Sequence, residues 1–267
     1  MKSNYRYIVK AFMAMAVIAG TTSCDDFLDR EPMSSISPET YYSTAAQLEA
    51  NLNDEYPNVL PSFGQWTYGI FGEDKGTDNQ IEVNANDRYT QDRWKVPHSE
   101  SDNWKFERIY RINFFLSEAL PKFGEDMSGS QNTISGSVAT IKHYIGEMYF
   151  LRAYEYFKKL QLFGDFPIIN QPLADEMEAL REASKRFPRN EVARFIISDL
   201  DKAYAYMSDV DMATTRINKD VAMLVKSRVA LFEATWLQNF KGTAFVPGGE
   251  GWPGASLHNN YQYPSGN

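Results

Sequence analysis

Residues 137–163 read SVATIKHYIGEMYFLRAYEYFKKLQLF, the longest periodic run in the chain. Val138, Ile141, Ile145, Met148, Arg152, Tyr156 and Leu160 recur at steps of three or four, which lays them along one stripe of an α-helix. Gly164 follows, a residue that ends a helix in the left-handed region without strain, and Pro167 keeps the helix from resuming. Arg152 is the charged member of the stripe. Its stem suits an apolar face while its head needs carbonyls or an acid, so segment 151–169 reads as scaffold rather than ligand contact.

Working outward, other segments share the period. Ser37 is placed to cap a helix with Pro38 at its first position, which predicts a helix over Glu39–Asp54 with Tyr42, Ala45, Leu48 and Leu52 on one face. Asn103–Leu120 carries Trp104, Ile109, Phe115 and Leu116 and is expected to end at Pro121 and Gly124. Asn190–Met207 aligns Val192, Phe195, Ile196, Leu200, Ala203 and Tyr204. Asn218 is placed to cap Lys219–Asn239, where Val221, Leu224, Val225, Arg228, Leu231, Phe232 and Trp236 recur, and Ala222, Ala230 and Ala234 permit a close neighbour.

No segment shows convincing strand alternation. The expectation is a mainly α protein of tetratricopeptide-like helical hairpins, an α-α superhelix with long irregular loops, although an irregular helical bundle satisfies the same periodicity. The longest irregular stretch, 57–102, is punctuated by glycines and prolines yet rich in aromatic residues, which argues for order. The tail from Phe240 reads as loop.

Composition narrows the function. The chain has 267 residues, 43% hydrophobic and 14% aromatic, so disorder is excluded as its general state. A net charge of −8 argues against a nucleic-acid partner. The three histidines lie far apart and Cys24 is the sole cysteine, which excludes a disulfide scaffold and leaves no basis for a metal site. No Gly-x-Ser-x-Gly elbow and no phosphate-binding loop occurs, and no calcium-loop pattern is present. The expectation is therefore binding without catalysis, with no catalytic residue, metal or cofactor.

The amino terminus indicates export. Lys2, Arg6 and Lys10 precede the apolar run Ala11–Gly20, and small residues lead to Cys24, the layout of a signal peptide too short to span a bilayer. The layout resembles a bacterial lipoprotein signal over residues 1–23, with Cys24 becoming the acylated first residue. Residues 24–38, broken by Pro32 and Pro38 and carrying Asp25, Asp26 and Asp29, read as an extended tether, and 39–267 as the helical domain.

Four stretches together resemble the SusD/RagB family of outer-membrane nutrient-binding lipoproteins. They are Cys24–Asp29 with Glu31-Pro32, Trp104–Asn113, Phe150–Phe157 running on through Phe163–Ile169, and Asn218–Trp236. The resemblance implies a tetratricopeptide-like scaffold, capture of glycans or other nutrients at the cell surface, and transfer to a SusC-like TonB-dependent β-barrel transporter. Members of the family are typically much longer, so the chain resembles an amino-terminal half.

Sugars present apolar C–H faces and rings of hydroxyls, which call for flat aromatic side chains flanked by carboxylate, amide and guanidinium groups. Trp66, Tyr68, Asp78, Asn79, Arg88, Trp94 and Trp104 supply that mixture and are the candidate ligand contacts. Asp78 and Asn79 lie in a Gly-Thr-Asp-Asn stretch similar to a family segment near the binding face. Trp66 and Trp104 suit packing of loops onto helices equally well, and Trp252 and the tail tyrosines are weaker candidates. Two other functions remain open: a protein-interaction scaffold without sugar binding, and a surface glycoside hydrolase.

Overall fold

The computed structural model describes residues 41–61, 103–124, 126–208, 212 and 215–264. The chain divides into two units, Met1–Tyr41 and Tyr42–Asn267, and every element below lies in the second. Cys24, the signal segment 1–23 and the tether 24–38 fall outside the described residues. So do Trp66, Tyr68, Asp78, Asn79, Arg88 and Trp94.

Among the described residues the fold is mainly α, as the periodicity predicts. The helices are α1 (Ala45–Val59), α2 (Glu107–Phe123), α3 (Val138–Phe163), α4 (Met177–Ala183), α5 (Arg189–Tyr206) and α6 (Lys219–Asn239), followed by a 3₁₀ turn at Pro253–Ser256. The only β pairings described are isolated bridges, Thr44 with Ser135 and Phe166 with Phe187.

α3 is the centre of the fold. Every residue from His143 to Ala153 is buried, about three turns, so all of its faces are covered rather than the single stripe the sequence suggests. α2 runs antiparallel to it, bringing Asn113 to Arg152 and Asn103 to Lys159. α5 also runs antiparallel, with Asp199 at Arg152 and Ala203 at Gly146. α6 returns along α5, joining Lys226 to Asp201 and Glu233 to Arg189. These are the expected helical hairpins. α1 begins beside the start of α3, where the Ala45 N–H donates to the Ser135 carbonyl at 2.9 Å.

Local signals set most boundaries. Ser137 caps α3 through its hydroxyl, Gly164 ends it at φ +68°, and Asn218 caps α6 by accepting from the Val221 N–H at 3.0 Å. α1 departs from expectation. It starts at Ala45, not Glu39, because Thr44 and Gln47 form a reciprocal capping box, and residues 41–44 are turn and bridge. It also runs past Asp54 and through Pro57 to Val59. α2 likewise starts at Glu107 and continues through Pro121 to Phe123. In both cases the proline sits in the last turn and the next N–H donors still find carbonyls, Leu60 to Tyr56 and Gly124 to Leu120. α4 has no buried residue and no counterpart in the periodicity.

The face of α6 is the larger correction. Its buried residues are Ala222, Val229 and Glu233, whereas Leu224 and Leu231 of the expected stripe are 70% and 66% exposed. Apolar residues occupy more than one side of this helix, and α5 covers only the side bearing the small Ala222.

Charged groups inside the helix stack are paired. Arg152, 3% exposed, donates from Nε to Asp199 Oδ2 at 2.6 Å and from Nη2 to Oδ1 at 2.8 Å. Its Nη1 donates to Asn113 Oδ1 and to the Asn170 carbonyl, and the guanidinium lies 5.3 Å from the rings of both Tyr149 and Phe195. Glu147 accepts from Arg216 Nε and Nη2 and from the Tyr56 hydroxyl, tying α1 and the loop before α6 to α3. Breaking a buried pair of this kind typically costs about 3–5 kcal/mol, because the remaining charge is stranded.

Gly146 lets α5 approach α3. A Cβ there would stand 2.8 Å from the Met207 nitrogen and 2.9 Å from the Ala203 oxygen, backbone atoms that cannot rotate away. Helix propensity alone favours Gly146→Ala by about 1 kcal/mol, but overpacking typically costs about 1–3 kcal/mol. The expected outcome is a lower urea midpoint for Gly146→Ala than for the wild type. An unchanged or higher midpoint would show that the helices separate without cost.

Candidate functional site

The site lies where α3 ends. Gly164 turns the chain, and the following loop is pinned at Ile169: Tyr156 Oη donates to its carbonyl and accepts from its N–H, while Asn113 Nδ2 donates to the same carbonyl. Asp165 is thereby held below the first turn of α5, where its Oδ1 accepts from the Arg189 N–H at 2.9 Å. α5 has no side-chain cap of its own at Pro188, so this carboxylate, carried by a distant loop, serves as one.

Asp165 Oδ2 accepts from Trp252 Nε1 at 2.7 Å and so anchors the tail. Trp252 is 5% exposed and packs with His258 and Tyr261. Tyr261 in turn donates to Glu191 and pairs with Asn190. The tail that reads as loop in sequence is therefore fastened to the helices, and the burial of Trp252 assigns it to packing. Gly254 makes this possible, since a Cβ there would run into the Trp252 ring at 2.2 Å.

Between the α3 turn, the start of α5, the end of α6 and this tail lies a cleft of about 500 Å³. Its walls include Gln161, Asp165, Arg186, Trp236, Phe245 and Trp252. Arg189 pairs through Nε and Nη2 with Glu233 and stacks 4.1 Å from the Trp236 ring, while Phe240 packs against the same indole at 4.5 Å. Trp236 is thus held firmly, with Nε1 donating to the Phe245 carbonyl. Phe245, 62% exposed, is the open aromatic surface of the cleft, and Leu162 adds an exposed apolar edge. An open ring flanked by guanidinium, amide and carboxylate groups can stack on an apolar ligand face while hydrogen-bonding its rim.

Of the seven leading candidate contacts, Trp104 is the one within the described residues. It is half-buried, edge-on to Phe163 and Phe166 at 4.9 Å, with the Arg186 guanidinium 4.6 Å from its ring. It stands behind the cleft and adjoins it through Phe163 and Arg186. Segment 151–169 holds the scaffold together, as expected, and its Gly164 and Asp165 also form cleft wall. Sequence reasoning missed Arg186 and Phe245 as site residues, and placed Trp236 only on a helix stripe. Their proximity is created by tertiary docking of the tail, for which the only local hints are Asp165 beside a helix-ending glycine and a tryptophan in a glycine-rich tail.

Among the described residues no cluster of three or more His, Cys, Asp or Glu side chains is arranged to hold a metal ion, and no helix is long and apolar enough to cross a membrane. The family described as "Starch-binding associating with outer membrane", a SusD-like family, matches residues 26–231, and the chain belongs to it. It is 25% identical over 253 residues to SusD-like protein P2 of Formosa agariphila, covering 90% of this chain and 46% of that one. It is 25% identical over 233 residues to SusD-like protein P25 of the same organism, covering 80% and 41% respectively. The chain thus spans under half the length of these curated relatives. A solved SusD-like carbohydrate-binding protein from Bacteroides fragilis aligns with a TM-score of 0.49 at 18% identity, covering 76% of this chain and 40% of that one.

Burial raises the Asp165 carboxyl above its ordinary value, against the lowering effects of the Trp252 and Arg189 hydrogen bonds and the nearby arginine charges. Burial likewise raises Glu233, against the pull of Arg189. A carboxyl with a raised value binds its proton more tightly folded than unfolded, so its contribution to stability grows as pH falls through the folded value toward the unfolded one. The stability advantage of the wild type over Asp165→Asn is therefore expected to widen as pH is lowered from 7 toward about 4, the unfolded carboxylate range. Urea unfolding of both proteins across that range tests the sign; a narrowing gap would contradict it.

Proposed function

We propose that the chain captures glycans at the cell surface, as part of a lipoprotein anchored in the outer membrane through acylated Cys24, and passes them to a SusC-like TonB-dependent β-barrel transporter. The observation that carries the reading is the cleft beside the α3 turn, with Phe245 open to solvent between Gln161, Asp165 and Arg186, in a chain of a family described as starch-binding. A sugar ring laid on Phe245 buries its C–H face while its hydroxyls meet donors on Gln161 and Arg186 and an acceptor on Asp165. Trp66, Tyr68, Asp78, Asn79, Arg88 and Trp94 are proposed as further contacts on the sequence argument, with Trp104 supporting the wall from behind.

Binding alone is the proposed activity. The cleft's Asp165 is engaged by Trp252 and the Arg189 N–H, and Glu233 beside it is engaged by Arg189, an arrangement that supports a structural use of these acids rather than acid–base work on a glycosidic bond. One observation favours a second reading as a protein-interaction scaffold: the exposed Leu224 and Leu231 on α6.

Affinity electrophoresis of the mature chain through gels containing amylopectin, laminarin or pectin tests the proposal. Retardation by at least one glycan is expected, and Phe245→Ala should weaken it by about tenfold, the equivalent of one lost aromatic contact. Unchanged mobility in every gel, with recovery of a barrel protein from membranes, would favour the scaffold instead.

A further inference from the structure

A cavity of about 320 Å³ lies between the start of α2, the loop that follows α3 and the short helix α4. Its walls include Phe106, Ile109, Ile169, Leu173 and Leu180, and its size is that of a small-molecule pocket. Phe106 stacks on Phe166 at 5.2 Å, and Ile169 is pinned by Tyr156 and Asn113, so these walls are set by the core rather than by an occupant. α4 adds no buried residue to the helix stack; its Leu180, 41% exposed, forms cavity wall instead. The cavity gives this helix a use that the core does not.

The lining is poor in polar groups that a ligand could reach. The Ile169 N–H donates to Tyr156 Oη, its carbonyl accepts from Tyr156 Oη and Asn113 Nδ2, and the Ser184 hydroxyl donates to the Arg181 carbonyl at 2.8 Å. A sugar ring carries hydroxyls on all its edges, and most would lie unmet against Ile109, Leu173 and Leu180, which is costly. Asp175 is the single charge among the lining residues, so an anion meets repulsion and no compensating cation. Arg181 and Lys185, the cations of this segment, pair with Glu178 and Glu182 and line no part of the cavity. On the α2 side the walls are aromatic: Phe106, and Tyr110, which is 51% exposed and stacks on Phe114.

We infer that this cavity is a binding site for a small uncharged aryl compound, whose ring lies against Phe106, Tyr110 and Leu180 with its polar substituent toward Gln171 and Asp175. An aromatic ring has no hydroxyls to strand and gains stacked or edge-on contacts with the two rings of the wall. An uncharged ring escapes the repulsion of Asp175. The site stands apart from the proposed glycan contacts. No residue lines both it and the cleft, and the two are joined by stacked rings, Phe106 on Phe166 and Phe166 on Phe163 at 5.7 Å.

Saturation-transfer NMR titrations of the mature chain at pH 7 test the inference, with methyl benzoate, methyl cyclohexanecarboxylate, benzoate, methyl glucoside and N-acetyltryptophanamide as probes. Methyl benzoate should bind with a Kd of about 1 mM or below, the scale open to a ligand of this size. Benzoate and methyl glucoside should bind at least about tenfold more weakly, and Asp175→Asn should bring benzoate closer to its ester. Leu180→Gln should weaken methyl benzoate about tenfold, whereas Phe245→Ala in the cleft should leave it unchanged. Leu180 is exposed on a helix without buried residues, so the thermal midpoint should hold; Tyr110→Ser gives a second reading from the α2 side. No binding of methyl benzoate would overturn the inference, as would binding lost in Phe245→Ala but kept in Leu180→Gln. Equal binding of methyl glucoside or of the cyclohexane ester would overturn the assignment to an aromatic ring. Tighter binding of N-acetyltryptophanamide would overturn it in favour of a side chain of a partner protein. Retardation by glycans should be the same for Leu180→Gln and the wild type, which keeps the two sites distinguishable.

Discussion

A full charge placed in an apolar interior has to be met from several directions at once, and Arg152 is met by α5, α2 and the loop beyond α3 together. The Asp199 carboxylate takes two of its donors in parallel, Asn113 and the Asn170 carbonyl share the third nitrogen, and Tyr149 and Phe195 flank its plane. None of these partners can move far without stranding the others, since a half-satisfied buried network is worse than an apolar one. The consequence extends beyond stability. Asn113 and Tyr156 also hold Ile169, so the exit of the chain from α3 is fixed in direction. That places Asp165 under α5 and opposite Trp252, and the tail docked through Trp252 closes one wall of the cleft. The shape of the cleft is therefore a product of how the interior charge is satisfied.

Much of this architecture is legible where the signal is local. Ser137, Gly164 and Asn218 mark helix ends by chemistry confined to a few residues, and the sequence boundaries of α3, α5 and α6 agree closely with the structure. Arg152 on an apolar stripe implies a buried partner, although nothing in sequence singles out Asp199. Where two local signals compete, the reading fails. Ser37-Pro38 looks like a helix start, but Thr44 and Gln47 satisfy two backbone donors reciprocally and set the observed start of α1. The orientation of α6 is lost for a different reason. Leucine and valine stand on several of its sides, and which side is covered depends on the approach of α5 to Ala222 and Val229.

The site is less legible than the fold because it is assembled from residues far apart in the chain. Phe245 and Arg186 become neighbours only after Asp165 binds Trp252. The sequence emphasis on 66–94 for ligand contact remains a proposal outside the described residues, whereas Trp104 itself adjoins the cleft through Phe163 and Arg186.

Hydrogen–deuterium exchange of the mature chain, with and without a saturating malto-oligosaccharide or oligogalacturonate, addresses this account most directly. Slowed exchange should concentrate in residues 161–165, 186–189 and 240–257, the segments that surround Phe245 and Asp165. Ligand binding accompanied by protection that leaves all three segments unchanged would contradict the assignment of the cleft.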